Sequence, residues 1–279
     1  MSRASLVWNE LRIALHEVSK GFLLINFSKI DNRWLVGRFL RLTLGLIPKN
    51  TMLPILQGPM KGLWWRVGSS NHGCWLRTYE LEEQLFFMRF VRPGMVVWDV
   101  GANAGVYTLL FSRIVADSGT VVAFEPLPSN CDNLMLHIKA NRLKNVRVIQ
   151  AAVSDRKGST GFSTGSSNSM GFITGGKSNL MVSTIPLDSV VLEENFQLPD
   201  VIKMDVEGAE ALALAGSREI LSAGRTRWVV SMHGVEHMDQ CEERFRAHRY
   251  RLFTLEGILI VGSLREAGVT DVYAVPPGQ

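Results

Sequence analysis

The sequence predicts an α/β fold built on a mostly parallel, Rossmann-like sheet with an antiparallel edge strand, preceded by an N-terminal helical and hairpin extension. Three observations predict it. After Gly94 short apolar runs alternate regularly with amphipathic stretches, a glycine-rich turn directly succeeds the first of those runs, and the chain opens with a separate basic, aromatic-containing segment. With 279 residues, 46% of them apolar, the chain is long enough for one large core plus an extension, and its composition is not that of a disordered protein.

The extension, residues 1–56, carries its own charge. Residues 1–50 hold eight Lys/Arg (Arg3, Arg12, Lys20, Lys29, Arg33, Arg38, Arg41, Lys49) against three acids (Glu10, Glu17, Asp31), a local charge of +5, so the rest of the chain sums to −1 of the total +4. Apolar residues at helical spacing, Leu11, Leu15 and Val18, then Val36, Phe39 and Leu40, predict two helices, and Pro48 and Pro54 interrupt the stretch after them. Such a segment can cap the main domain, lie peripherally on an anionic membrane, or dock a partner. The run Gly21 to Phe27 is too short to span a bilayer, and no secretory signal is expected. Cys74, Cys131 and Cys241 lie far apart without metal-ligand spacing, which reads as reduced thiols and a cytoplasmic location, with membrane-surface association through the extension as an addition.

Residues 57–279 read as the main domain. From Gln57 to Tyr79, Gly, Trp and alternating apolar residues predict a hairpin or two short strands, and a helix comes next from about Glu80 to Val91, stopped by Pro93-Gly94. Strands are then expected at Met95 to Val100, Thr120 to Glu125, Asn145 to Gln150, Val201 to Asp205 and Trp228 to Met232, with helices at Val106 to Val115, Asn130 to Asn141 and Gly208 to Leu221. A helix near His237 to His248 and short strands around Tyr250 to Leu255, Ile258 to Val261 and Asp271 to Val275 complete the chain. The connection Ala151 to Asp200 is unusually long, and its Gly/Ser/Thr/Asn-rich part within 156–185 is either a substrate-facing loop or a plain surface insertion.

The segment Val96-Val97-Trp98-Asp99-Val100-Gly101-Ala102-Asn103-Ala104-Gly105 is the most informative. Gly101 and Gly105 at the carboxyl end of a buried strand permit close backbone approach of a ligand, where open α/β sheets bind them. The acid at the strand end makes a pyrophosphate a poor neighbour and suits a cation, so the pattern favours S-adenosyl-L-methionine, with its sulfonium and ammonium groups, over a dinucleotide. Glu125, about twenty residues on, can accept ribose hydroxyl protons. Asp155, after the third strand, either accepts the adenine amino protons or is an ordinary turn aspartate.

The fourth strand ends in Lys203-Met204-Asp205-Val206-Glu207-Gly208-Ala209-Glu210. A helix cap with first-turn acids accounts for Glu210. It accounts poorly for Lys203 and Asp205 inside a buried strand, so a Lys203–carboxylate pair is expected. His233, in Ser231-Met232-His233-Gly234 beyond the fifth strand, is either a satisfied structural histidine or a general base near the reacting groups. Asp205 is the expected orienter or alternative base, and Asp205 with Glu207 offers oxygen ligands, although no metal is expected.

Together these pieces resemble the FkbM family of methyltransferases. The resemblance rests on Asp99 through Thr108, Phe124-Glu125-Pro126, Ala152-Val153-Ser154-Asp155 and Ile202 through Glu210, in order, within about residues 57–235 that also include Gly58-Pro59 and Tyr79-Glu80. It implies a class I methyltransferase fold, S-adenosyl-L-methionine as cofactor, and commonly O-methylation of sugars, polyketides or related metabolites and glycans. It implies cofactor contacts from Asp99, Gly101, Asn103 and Glu125, to which the residue reading adds Gly105 and Asp155. Lys203, Asp205 and Glu207 would line the reaction side with His233, and Tyr79 and Glu80 join Glu207 as substrate-side candidates. Ser231 departs from the family pattern, which has an acid two residues before the histidine.

Competing classes are weaker. A dehydrogenase is disfavoured by Asp99, by the missing third glycine and by the lack of a Tyr-x-x-x-Lys pair. A nucleic-acid or N-methyltransferase is disfavoured because no Asn/Asp-Pro-Pro-aromatic segment ends the fourth strand and the basic charge lies in the extension, so the expected partner is a small-molecule or glycan hydroxyl and not a nucleic acid. A non-catalytic scaffold that binds the cofactor is the remaining alternative.

Overall fold

A computed structural model describes residues 44–76, 79–164, 171–173, 180–194 and 196–279. The two N-terminal helices expected before Leu44 lie outside the described residues. The chain divides into two compact units, Met1–Val91 and Arg92–Gln279.

In the first unit β1 (Met52–Pro54) pairs antiparallel with β2 (Trp64–Arg66), so the predicted hairpin begins before Gln57. Pro54 ends an edge strand, where its missing N–H costs no ladder bond, and so does not exclude pairing. The short helix α1 (Gly73–Leu76) and then α2 (Leu81–Met88) come after the hairpin. Helix α2 starts at a left-handed Glu80, φ 43°, and ends ahead of the predicted Val91.

The second unit holds a seven-stranded sheet made of β3 (Val96–Val100), β4 (Thr120–Phe124), β5 (Val146–Ile149), β10 (Val201–Met204), β11 (Arg227–Ser231), β12 (Arg251–Phe253) and β13 (Asp271–Val275). Its order is β12-β13-β11-β10-β3-β4-β5. From β11 to β5 all neighbours are parallel, whereas β13 runs antiparallel between β11 and β12. The antiparallel strand thus lies one place in from the edge, and this sheet is that of a class I methyltransferase fold. Strands β3 and β10 are buried at every residue, as central strands covered on both faces must be. Helices α3 (Val106–Val115) and α4 (Pro128–Ala140) connect β3, β4 and β5.

The predicted helix from Gly208 to Leu221 is two, α6 (Glu210–Ala215) and α7 (Arg218–Ser222). The break falls at Gly216, where an added Cβ would overlap the backbone oxygen of Ser154. Helix α8 (Val235–Ala247) precedes β12, and α9 (Leu264–Ala267) precedes β13. No strand forms at 258–261; Leu259 makes an isolated bridge to Phe253. A core containing Trp98, Phe124, Met204, Trp228 and Phe245 packs along one face of the sheet, each such side chain contributing about 1.5–3 kcal/mol by leaving water.

The long connection after β5 folds into a second sheet of β6 (Ala152–Val153), β7 (Gly158–Thr164), β8 (Gly171–Ile173) and β9 (Leu180–Ile185), in the order β6-β9-β7-β8. Leu127, Ala152, Phe162 and Val182 form its small core. Helix α5 (Leu187–Leu192), not expected from the sequence, returns the chain to β10. The sheet reverses its winding between β3 and β10: β3 leads to β4 and β5 on one side, while β10 and β11 build the other. Ligands bind open α/β sheets at the carboxyl ends of the strands beside such a switch point. Among the described residues no helix is long and apolar enough to cross a membrane.

Candidate active site

The turn from β3 into α3 uses three left-handed residues in five: Gly101 (φ 80°), Asn103 (φ 51°) and Gly105 (φ 96°). The glycines serve the protein's own packing. A Cβ on Gly101 would overlap the Asp205 carbonyl oxygen, and one on Gly105 would overlap Leu134 of α4. At Gly101 the carboxyl ends of β3 and β10 abut, the Asp205 carbonyl oxygen lying where a Cβ would stand.

Glu125, immediately beyond β4, ties the turn down. It is buried; Oε2 accepts from Asn103 N at 2.8 Å, and Oε1 accepts from Leu127 N at 2.9 Å and Asn130 Nδ2 at 3.2 Å. Burial raises its pKa, and those donors oppose the rise. From α4 the buried His137, which sequence reasoning missed, bonds the Ala104 carbonyl through Nδ1 at 2.8 Å; a histidine one turn from Leu134 on a buried helix face was the available signal.

Asp99 lies beneath the same turn. Its Oδ2 accepts from Thr108 Oγ1 at 2.5 Å, while Oδ1 is buried without a hydrogen-bond partner. Burial raises the Asp99 pKa against the opposing charge of Lys203, its register partner across the β3–β10 pair. The expected Lys203–carboxylate pair forms: Lys203 Nζ lies 3.3 Å from Asp205 Oδ2 and 4.8 Å from the centre of the Tyr107 ring. Lys203 is nearly fully buried. Asp155 is exposed, accepts from Ser154 Oγ at 3.2 Å and lies 3.4 Å from Arg156 Nε.

On the other side of the switch point, the chain leaves β10 through Glu207 (φ 51°) and Gly208 (φ 94°) and enters α6 at Glu210. A left-handed glutamate carries a local conformational cost, which clusters at functional sites. His233, just past β11, gathers the acids: Nδ1 is 2.9 Å from Glu210 Oε1, and Nε2 is 3.8 Å from Asp205 Oδ1 and 3.7 Å from Glu207 Oε2. The hydrogen-bond partner of Nδ1 is therefore Glu210, while Asp205, expected as orienter or alternative base, faces Nε2 from 3.8 Å. Glu210 looks like a first-turn acid in sequence, and no local pattern shows that it reaches a residue 23 positions away. The Glu210 bond, and after it the fields of Asp205 and Glu207, raise the His233 pKa to about 9 despite partial burial. Glu207 is raised by burial and lowered by His233.

One ligand atom each from Asp205, Glu207 and His233 lies within 4.8 Å of the others, a grouping that can hold a cation. Lys203 already supplies positive charge at Asp205, which reduces the need for one. Tyr79 and Glu80 belong to the first unit, where Gln84 Nε2 donates to Tyr79 O at 2.8 Å and Gln84 N to Glu80 O.

The family described as the methyltransferase FkbM domain matches residues 99–252, more than half of the chain. The 31-O-demethyl-FK506 methyltransferase FkbM of Streptomyces tacrolimicus is 26% identical over 208 residues, covering 62% of this chain and 79% of that protein. Among solved structures, a methyltransferase FkbM from Methylobacillus flagellatus KT aligns over 74% of this chain and 55% of its own length at 15% identity and TM-score 0.46. Aeropyrum pernix fibrillarin, in complex with S-adenosyl-L-methionine, aligns over 66% of this chain and 68% of its own at 14% identity and TM-score 0.40. This chain thus spans little more than half the length of the first of these structures. The family match contains Asp99, Glu125, Asp205, Glu210 and His233, and by it the chain belongs to the FkbM methyltransferase family.

Proposed function

We propose that this methyltransferase uses S-adenosyl-L-methionine to methylate a hydroxyl of a sugar, glycan or secondary metabolite. The observation that carries the reading is His233, half-exposed beside the carboxyl end of β10 with Nε2 facing Asp205 and Glu207. The donor set fits the cofactor: Asp99 keeps a buried carboxylate oxygen without a hydrogen bond, Lys203 is turned to Asp205, and a carboxylate-rich strand edge suits a cation better than a pyrophosphate. Asp99, Gly101, Asn103, Gly105, Glu125 and Asp155 would hold it. Asp99 would act through its charge, and Glu125 through lone pairs left beside the bonds it already accepts. When bound, S-adenosyl-L-methionine supplies an electrophilic methyl group.

The chain's own residues supply alignment and proton removal. An alcohol attacks well only as its proton departs, and neutral His233 accepts that proton at Nε2. Because its pKa is raised to about 9, His233 is mostly protonated at neutral pH. The base form then increases about tenfold per pH unit up to that value, so kcat/KM climbs with pH from 7 and levels near 9. Oxygen as the acceptor is supported by the Streptomyces relative, whose name places its substrate as an O-demethyl compound.

The test is calorimetric titration with S-adenosyl-L-methionine, S-adenosylhomocysteine and NAD, repeated on an Asp99→Ala, Glu125→Ala double variant, and then a hydroxyl acceptor panel. Binding of the first two ligands, lost in the variant, with methyl transfer to an alcohol is expected. Binding of NAD alone refutes the cofactor assignment; cofactor binding without transfer to any acceptor favours the scaffold.

A further inference from the structure

We propose that Glu210 is the positioning residue of this site, holding His233 as the Nδ1–H tautomer so that Nε2 is left to take a proton. The inference rests on the base role given to His233 above.

Glu210 is fully buried at the start of α6, yet no lysine or arginine pairs with it among the described residues. Its Oε1 serves two donors, Gly208 N at 3.0 Å and His233 Nδ1 at 2.9 Å, while Oε2 is buried without a hydrogen-bond partner. A buried carboxylate in this state is costly unless a charged or strongly polar partner compensates it, and the imidazole is that partner. The hydrogen bond at one ring nitrogen decides which nitrogen carries the proton in the neutral ring. A carboxylate only accepts, so Nδ1 must donate, and the basic lone pair falls on Nε2.

The contacts at Nε2 are of another kind. Asp205 at 3.8 Å and Glu207 at 3.7 Å are beyond hydrogen-bond length, so they act by charge and leave Nε2 open. The titratable and charged groups around the pair are Asp205, Glu207 and Lys203 from β10 and its exit, Glu210 from α6, and from α8 both His237, whose ring lies close to Gly208 and Gly234, and Cys241, a buried thiol that feels the Glu210 charge. Among these, Glu210 is the acid within hydrogen-bond distance of the ring. The pKa of His233 responds most strongly to this same bond.

The first experiment uses the wild-type chain: nitrogen-15 NMR of its histidine side chains across pH, with His233 assigned by loss of its signals in His233→Gln. The expected result is a neutral ring protonated at Nδ1; an Nε2–H ring overturns the proposal without requiring any variant of Glu210 to fold. The second is Glu210→Gln, which keeps the shape and removes the charge. It should lower the His233 titration by about one unit or more and carry the rising limb of the kcat/KM profile with it. A purely structural role would reduce stability and leave both in place, and either one staying in place overturns the proposal. If His233→Ala leaves turnover unchanged, the base reading itself fails; if that variant is inactive while Glu210→Gln moves neither titration nor profile, only the positioning role fails.

Discussion

Apart from the buried Glu210, the two sides of the switch point hold their acids in opposite ways. On the β3–β4 side, Asp99 and Glu125 are 0% and 4% exposed, and Glu125 is held by two backbone N–H groups and an amide. On the β10–β11 side the side chains of Asp205, Glu207 and His233 are 26%, 34% and 38% exposed and meet one another. Acids fixed by backbone donors are set when the chain folds and have little freedom left, as a preorganised binding surface requires. His233, partly exposed and facing two acids, keeps the ability to change protonation. On the proposed reading, binding geometry and proton traffic would be separated across one strand boundary, with Gly101 where the halves touch.

The sharpest way to break this arrangement is Gly101→Ala. A methyl there would overlap the Asp205 carbonyl oxygen from a backbone held at φ 80°, and the combined clash and strain should cost about 4 kcal/mol or more. Thermal melting should show little or no folded protein, whereas a normally folded variant would show that the two strand ends do not abut. Next comes His233→Ala, which should reduce kcat by about 10²- to 10⁴-fold and also lower the melting temperature, because Glu210 is left buried without its imidazole partner. A lower melting temperature with kcat unchanged would instead make His233 a structural histidine.

On the buried side the ratio of effects should invert. Glu125→Ala leaves the N–H groups of Asn103 and Leu127 and the Asn130 amide without their acceptor. At about 1–3 kcal/mol for each buried donor left unsatisfied, partly relieved by entering water, the net cost should be about 3 kcal/mol. Denaturant unfolding reads it directly, and cofactor affinity should fall with it because the glycine turn is released. If stability holds and only affinity falls, Glu125 is a ligand contact that does not brace the turn.

The two sides also differ in how far the sequence reveals them. The β3–β4 side is legible because its signals are local: an acid, a glycine turn and a second acid, each at the end of a continuous apolar run. The strands of the sheet and helices α3, α4 and α8 can be read from periodicity for the same reason. On the β10–β11 side the presence of Lys203, Asp205 and His233 is legible, and so is the need to pair Lys203, but the pairing of Glu210 with His233 joins two elements far apart in sequence. The break at Gly216 has a similar cause, since what fills the space beside it is Ser154 of another segment. The Gly/Ser/Thr-rich connection reads as a loop because polarity masks its strands, although Ser159 to Phe162 pairs residue by residue with β9.

Asp155 provides the finest comparison, because it lies at the β6 exit near the buried side yet is exposed like the reaction side. Its contacts, Ser154 Oγ at 3.2 Å and Arg156 Nε at 3.4 Å, are local and solvated. Removing it should change stability by less than about 0.5 kcal/mol. As an acceptor for the adenine amino group it would contribute one hydrogen bond, worth about 0.5–1.5 kcal/mol, so Asp155→Ala should weaken S-adenosyl-L-methionine binding by about 2- to 10-fold. Calorimetry at fixed salt resolves a change of that size. An affinity equal to wild type would make Asp155 a turn residue and place the boundary of the proposed binding surface at Glu125, leaving the buried Asp99 and Glu125 as the acids that would hold the cofactor.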